Sequence, residues 1–537
     1  MEPNVKVLQE LSHFQKQKIK IYFTPAQPFG PRSSEDIKDD ELVQPLIFNT
    51  RNSIWKSYQK DPSIIVGRRG SGKTTVVSRT ELAGKFKYII FADLAKLSEK
   101  VSHALFSESQ IKLGRTERCA DYWSFVLNVQ HMIEVVRSNP AEPFPRISSF
   151  LEAIDRKPKM GEESYLKRAF RASNRVELNN SLGPLLASIT NFLADSAHGY
   201  QEALSDLDYY LKESNTRSVI ILDNVEQYDL DDCETKEIMK GMLKCVGTFG
   251  NRYRQIRLCI PAEHFFEIKA ISSNATKDFG NAVVLHWSPI ELMRIAAWRY
   301  LVFLAAHNHI QRLNKFEAID LSKREDVHSV LSDFMKDTTV NRGKKIEGTL
   351  AYVLRHTQLL PRQFIMTLNS IYKSAEDGGF NYAADVVDGI RNVEPDICGD
   401  IFNAFQTKFP FCEDLCDRVV EKLPRYFSQD RLESVYAKFG KGALKSRQDI
   451  DFHRFRKVLS EIGAIGKVTG QTTMYKDADF EYGIPGQLSF APSDEFCLHP
   501  AFSGAFESAE NIDSVQYVYP HLKFLKFDGY LDRKLPI

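Results

Sequence analysis

No apolar run of about 18 residues occurs in this 537-residue chain, so no membrane-spanning helix is expected. The first 17 residues are polar and lack the apolar centre of a secretory leader. Cysteine is sparse and scattered: the eight residues form no CxxC pair and no Cys/His cluster at zinc spacing. Cys412 and Cys416 would share a helix face, yet no second ligand pair follows them. Reduced thiols, no membrane contact and a cytoplasmic location are the expectations. Excess charge is missing too. Lys and Arg number 71 against 70 Asp and Glu, which speaks against a chain built throughout for polyanions and leaves room only for a local basic patch. There is no internal repeat, no low-complexity tract, no N-K-x-D base-reading motif, and no nuclease, protease, TIR or deaminase motif.

What is present is an ordinary globular composition, 43% hydrophobic and 26% charged, in a chain too long for one core. Residues 1–50 read as an adaptor segment. In it Lys18–Phe23 alternates like a strand, and Ser34–Val43 reads as a short acidic helical stretch. Ser63–Val66, Lys87–Phe91, Ser218–Asp223, Ile256–Ile260 and Ala282–Leu285 are short apolar runs of the kind that become buried parallel strands. Helical patterns fill about 95–212, broken around Asn139–Arg146 and Lys157–Gly161, and again 289–372, where Lys345–Arg355 and Pro361–Tyr372 are amphipathic. Strands separated by helices predict an α/β fold with a parallel sheet. In residues 396–537, an amphipathic helix over Phe452–Ile465 precedes strands at Met474–Tyr482 and Leu488–Phe490, the order of a winged-helix domain.

One motif carries specific chemistry. Gly67-Arg68-Arg69-Gly70-Ser71-Gly72-Lys73-Thr74 fits G-x-x-x-x-G-K-T, directly after an apolar strand and before a helix that starts within Gly72–Thr75. Glycines let backbone N–H groups turn inward around a β-phosphate, and the helix N-terminus adds favourable potential. Lys73 would reach the β- and γ-phosphates of ATP, and the Thr74 hydroxyl would ligate Mg²⁺. Thr75 continues the cradle. Arg68 and Arg69 either touch phosphate or face solvent.

Such a loop needs a second carboxylate on the Mg²⁺ side, and Asp223 ends the apolar run Val219–Leu222 where it belongs. Glu226 is the candidate for orienting or deprotonating water, with Asn224 where many ATPases carry an acid. Roughly 150 residues separate Gly67 from Asp223, more than a compact core needs, so a helical insertion at about 95–212 is expected between them.

Ile221–Glu226 resembles the second nucleotide motif of STAND and KAP-type NTPases. Trp287–Leu292, followed by Arg294 and Arg299, resembles the start of their helical lid, and Arg355–Arg362 resembles the Pro-Arg element of origin-recognition-type AAA+ proteins. The chain is thus similar to a bacterial P-loop ATPase of the STAND/KAP/origin-recognition-like AAA+ group, whose members often occur in antiphage defence operons. The resemblance implies ATP rather than GTP, a sensor role for Arg362 or Arg355, and four segments. These are the adaptor 1–50, an ATPase core 51–288, a helical lid 289–395 and a winged helix 396–537. It also implies a switch that assembles with itself or with an effector protein. The alternative is a DNA-binding loader using Arg454, Arg456, Lys457 and Lys467. The sensing position after Ile260 departs from the group's pattern, showing Pro261, Ala262, Glu263 and His264. His264 and His356 read as structural.

Overall fold

The computed structural model describes residues 5–33, 35–37, 40, 43, 46, 62–77, 86–93, 115–155, 199–223, 233–249, 251–272, 274–372, 386–444, 450–473, 475–482, 488–507 and 517–520. The chain forms two compact units. One comprises Lys56–Val66 and Val77–Val283, the other Met1–Trp55, Gly67–Val76 and Val284–Ile537.

The first unit is organised by a five-stranded, all-parallel sheet of β1 (Ile64–Gly67), β2 (Tyr88–Asp93), β3 (Ser218–Asp223), β4 (Arg254–Pro261) and β5 (Ala282–Val284), in the order β2-β3-β4-β1-β5. Tyr88 pairs with Ser218 and Asp93 with Asp223, while Ser218 pairs with Arg254. Ile64, Ile65, Val66, Val219, Ile220 and Leu222 are all fully buried, which is why these strands read as unbroken apolar runs. Helix Arg115–Ser138 packs along helix Cys233–Thr248. A Cβ on Gly241 would collide with the Cys119 side chain and lie 2.9 Å from its carbonyl carbon, so the crossing is as close as glycine permits.

In the second unit, helix Pro289–Ala306 is the central buried element. Pro289 occupies its first turn, and the Glu291 carboxylate accepts from the Ser288 N–H at 2.8 Å and the Ser288 hydroxyl at 2.9 Å. Against it lies helix His13–Tyr22, where a strand over Lys18–Phe23 was expected. The reason is a capping box, Ser12 with Gln15, and a stripe of 3.6-residue period. Ile19 and Phe23 are buried four residues apart, whereas Ile21 is 63% exposed. The 34–43 stretch contributes only a short 3₁₀ turn, Glu35–Ile37, among its described residues. The buried Arg299 guanidinium holds the N-terminal segment by donating to the carbonyls of Phe29 and Pro31, both at 2.8 Å. That burial lowers its pKa to about 10.

The helix expected over Lys345–Arg355 is half hairpin. Strands β6 (Thr338–Val340) and β7 (Ile346–Gly348) pair antiparallel, and the helix begins only at Thr349. Asn341 turns the chain: its Oδ1 accepts from the Lys345 N–H at 3.1 Å while its own N–H donates to the Lys345 carbonyl at 2.9 Å. Helix Pro361–Ile371 follows and packs on helix Val386–Phe405.

The C-terminal region builds a second sheet in the order β12-β10-β9-β11-β8, from β8 (Tyr426–Ser428), β9 (Ile465–Gln471), β10 (Tyr475–Asp479), β11 (Glu495–Leu498) and β12 (Tyr517–Tyr519). Helices Cys412–Val419, Gln429–Val435 and Phe452–Glu461 share one core with it through Leu415, Leu432, Phe455 and Leu459. The strand expected at Leu488–Phe490 is absent, and the third strand is β11 instead. There the Leu488 N–H donates to the Glu481 carboxylate at 2.8 Å rather than to a ladder, and Phe490 stacks on Phe496.

Candidate phosphate-binding loop and its clamp

The loop from Gly67 to Lys73 turns tightly between β1 and helix Lys73–Val77. The Ser71 N–H donates to the Arg68 carbonyl at 3.0 Å, closing a turn whose third residue, Gly70, has φ 81°. A positive φ at that place calls for glycine, and Gly72 repeats it at 83°. Lys73 is buried and folds back over its own loop, donating to the carbonyls of Gly67 at 2.9 Å and Arg68 at 3.4 Å. The buried Ser71 hydroxyl has no hydrogen-bond partner. Thr74 and Thr75 are half-buried in the first helical turn.

Both arginines of the loop run outward along protein. Arg68 is 2% exposed, so the solvent-facing alternative is corrected. Its guanidinium donates to Gln358 Oε1 at 3.0 Å, the Glu481 carbonyl at 2.8 Å and the Glu461 carbonyl at 2.9 Å, and it lies over the Phe405 ring. Glu461 ends helix Phe452–Glu461, so its carbonyl belongs to the negative end of that helix dipole. Arg69 donates to the Asn403 carbonyl at 3.1 Å. The loop is thus tied by side chains to the 349–371 helices and to the C-terminal region.

Arg362 reaches the same loop. Its N–H lies 3.4 Å from the Gly70 carbonyl, and a Cβ on Gly70 would stand 3.2 Å from the Arg362 Cβ. Leu359, three residues earlier, holds φ 52°, a left-handed conformation that is costly for a bulky side chain. The surroundings over-determine it: the Gln358 N–H donates to Gln363 Oε1 at 2.8 Å, and Gln358 Nε2 to the Ile462 carbonyl at 3.1 Å. Trp287 supports the loop from the other side, its indole N–H donating to the Ser71 carbonyl at 2.7 Å. Gln358, Asn403, Glu461 and Glu481 are contacts that sequence reasoning passed over, and Trp287 was singled out only as the start of the Trp287–Leu292 element. Gln358 lies inside the Arg355–Arg362 segment, but nothing in its residue type announced the role.

Arg355 is engaged elsewhere. It is buried, pairs with Glu347 at 2.9 Å and lies over the Tyr352 and Tyr517 rings. Burial works against its charge, and the Glu347 carboxylate more than offsets that, so its pKa is raised. His356 is structural, as expected: Nδ1 lies 2.7 Å from Glu394, whose other oxygen meets Arg342 at 2.6 Å. Burial depresses the His356 pKa well below its usual range and lifts Glu394 to about 7.

In the other unit, Asp223 is the last residue of β3 and is half-buried. Glu226 lies outside the described residues. Glu263 and His264 are both buried in a 3₁₀ turn after β4, with His264 Nδ1 3.0 Å from Glu267. Among the described residues no group of three or more His, Cys, Asp or Glu could hold a metal ion. Mg²⁺ is commonly held by one or two protein oxygens together with substrate phosphates, which makes no such cluster necessary. No described helix is long and apolar enough to cross a membrane.

The fold defines an α/β protein built on a five-stranded all-parallel sheet. No protein-family model matches the chain, and no curated protein sequence matches it.

Proposed function

We propose that this chain is an ATP-binding, slowly ATP-hydrolysing switch of the P-loop class, in which the state of the Gly67–Thr74 loop governs how the C-terminal region is held. Arg68 carries the proposal, since a residue inside the phosphate motif supplies three hydrogen bonds to Gln358, Glu461 and Glu481. A loop that only bound nucleotide would have no need of that connection.

Several features support the nucleotide itself. β1, from which the loop starts, lies beside β4, while the chain leaves β1 toward the β2 edge and β4 toward β5. Ligands of open parallel sheets bind where the direction of winding reverses in this way. The Ser71 hydroxyl is buried without a partner, and Lys73 has only loop carbonyls to satisfy it. Phosphate oxygens suit both groups, so the residues present fit ATP. On this reading Lys73 and the loop amides hold the phosphates, and Thr74 ligates Mg²⁺. Arg362 senses the γ-phosphate from beside Gly70, and Glu226 orients water. Bound Mg²⁺ would supply charge neutralisation at the phosphates.

We read residues 396–537 as a winged-helix domain, three helices followed by the β9–β10 hairpin. Of its basic set, Arg454 is exposed, but the other three residues are engaged within the domain, which does not favour the DNA-loader alternative. Arg456 is buried against Gln429 and His453, Lys457 lies 3.6 Å from Glu461, and Lys467 meets Asp494 at 2.8 Å. The expected output is self-assembly or capture of an effector protein, and the STAND/AAA+ resemblance suggests antiphage defence as its setting.

Solution mass with and without ATP and Mg²⁺, alone and with candidate effector proteins, tests the switch. ATP-dependent assembly that disappears in Lys73→Ala is expected. The same mass in every nucleotide state, with and without effectors, would refute it.

A further inference from the structure

Residues 336–346 place four basic side chains around a strand pair three residues long on each side: Lys336, Arg342, Lys344 and Lys345. Arg342 turns inward to Glu394, and Glu347 is buried under Arg355. Lys336, Lys344 and Lys345 are exposed, with Asp337 the one acidic residue in the same exposed stretch. Alternation along the strands puts Val340 and Ile346 outward as cross-strand partners, 56% and 57% exposed. Lys344 adopts φ 58°, at the position of a three-residue hairpin loop that glycine ordinarily fills. The tip therefore carries a cation where glycine would fold more easily.

We propose that the β6–β7 hairpin is a contact surface for duplex nucleic acid, a role separate from the nucleotide loop and from the C-terminal helices. Two paired strands are about 5 Å apart. With side chains they form a ribbon that a major groove about 12 Å wide admits. The Val340–Ile346 pair meets base methyls and sugar edges there, and Lys336, Lys344 and Lys345 meet phosphates on either side. An acidic protein is the poorer fit. Two aliphatic side chains fall far short of the roughly 800 Å² per partner that a stable protein interface buries, whereas a polyanion is held by charge with little apolar area.

The test uses the full chain without nucleotide and a fluorescent DNA duplex of about 20 base pairs, titrated by anisotropy between about 50 and 200 mM salt. Binding is expected to weaken with salt at a log–log slope near −3, about −0.9 for each of three lysines. The double variant Lys344→Ala/Lys345→Ala should bind about tenfold more weakly at the lowest salt and lose about 2 from that slope. Val340→Ser/Ile346→Ser should weaken binding with the slope retained. All these side chains are exposed, so both variants should melt as the wild type does. Three results would overturn the proposal: no binding at the lowest salt, unchanged affinity in a lysine variant that melts normally, or equal displacement by polyglutamate, which would indicate an acidic protein partner.

Discussion

Arg68 occupies a place where the phosphate motif tolerates any residue, yet its guanidinium is buried and makes three charge-assisted bonds to neutral acceptors. Truncation to alanine would leave those acceptors without their donor, and Arg68→Ala is expected to destabilise the chain by about 2–4 kcal/mol. Arg68→Lys keeps the charge but cannot fork to three acceptors, so it should recover only part of that loss in denaturant titrations. A wild-type midpoint for Arg68→Ala would deny the clamp. This role was not legible beforehand for a plain reason. Two of the three acceptors are backbone carbonyls, at 461 and 481, and a carbonyl's location is not written in residue type. The loop itself was legible, because positive φ at Gly70 and Gly72 and the turn they make demand glycine. Lys344 marks the opposite case, a lysine where glycine is easier. Lys344→Gly is expected to raise stability by about 0.5–1 kcal/mol, and an unchanged or lowered melting temperature would show that the left-handed residue is not strained.

Elements buried on two faces were readable, and two elements half in solvent, the β6–β7 hairpin and helix His13–Tyr22, were not. Strands β1, β3 and β4 announced themselves as apolar runs because they are buried on both faces, as central parallel strands are. The hairpin β6–β7 was hidden inside a helical pattern because each strand has only three residues, too few for period 2 to compete with period 3.6. Helix His13–Tyr22 was hidden by the chance alternation of Lys18–Phe23, which the Ser12–Gln15 capping box overrides. Close packing between helices yields a sharp expectation at Gly241. Alanine is the better helix former, yet Gly241→Ala should cost about 2–3 kcal/mol because Cys119 occupies the space. A stabilised variant would mean that the two helices separate easily.

The Glu394–His356 pair predicts a pH signature. Glu394, raised to about 7 by burial, contributes stability that is complete below the ordinary carboxyl range and is lost as pH rises toward 7. His356, depressed by burial, contributes stability that is present above its ordinary value near 6.5 and is lost as pH falls. The two slopes oppose each other between about pH 4.5 and 6.5. Glu394→Gln removes only the first, so its melting temperature relative to wild type should climb with pH across that window. A difference that stays level would place the proton elsewhere.

At the scale of the whole molecule, the phosphate motif belongs by its contacts to the same compact unit as residues 284–537, not to the unit that holds the rest of the parallel sheet. Sequence order hid this, since residues 51–288 read as one continuous core. Loop contacts with Trp287, Gln358, Arg362, Asn403, Glu461 and Glu481 explain the grouping. On the proposed reading, a nucleotide that changes the loop would act on the unit that holds residues 284–537. Titration calorimetry of ATP with Mg²⁺ into the intact chain tests this account most directly. It predicts saturable one-to-one binding that weakens at least about tenfold in Lys73→Ala, a loss of about 1.4 kcal/mol or more. Absence of heat with every nucleoside triphosphate, or equal affinity in the two proteins, would contradict it.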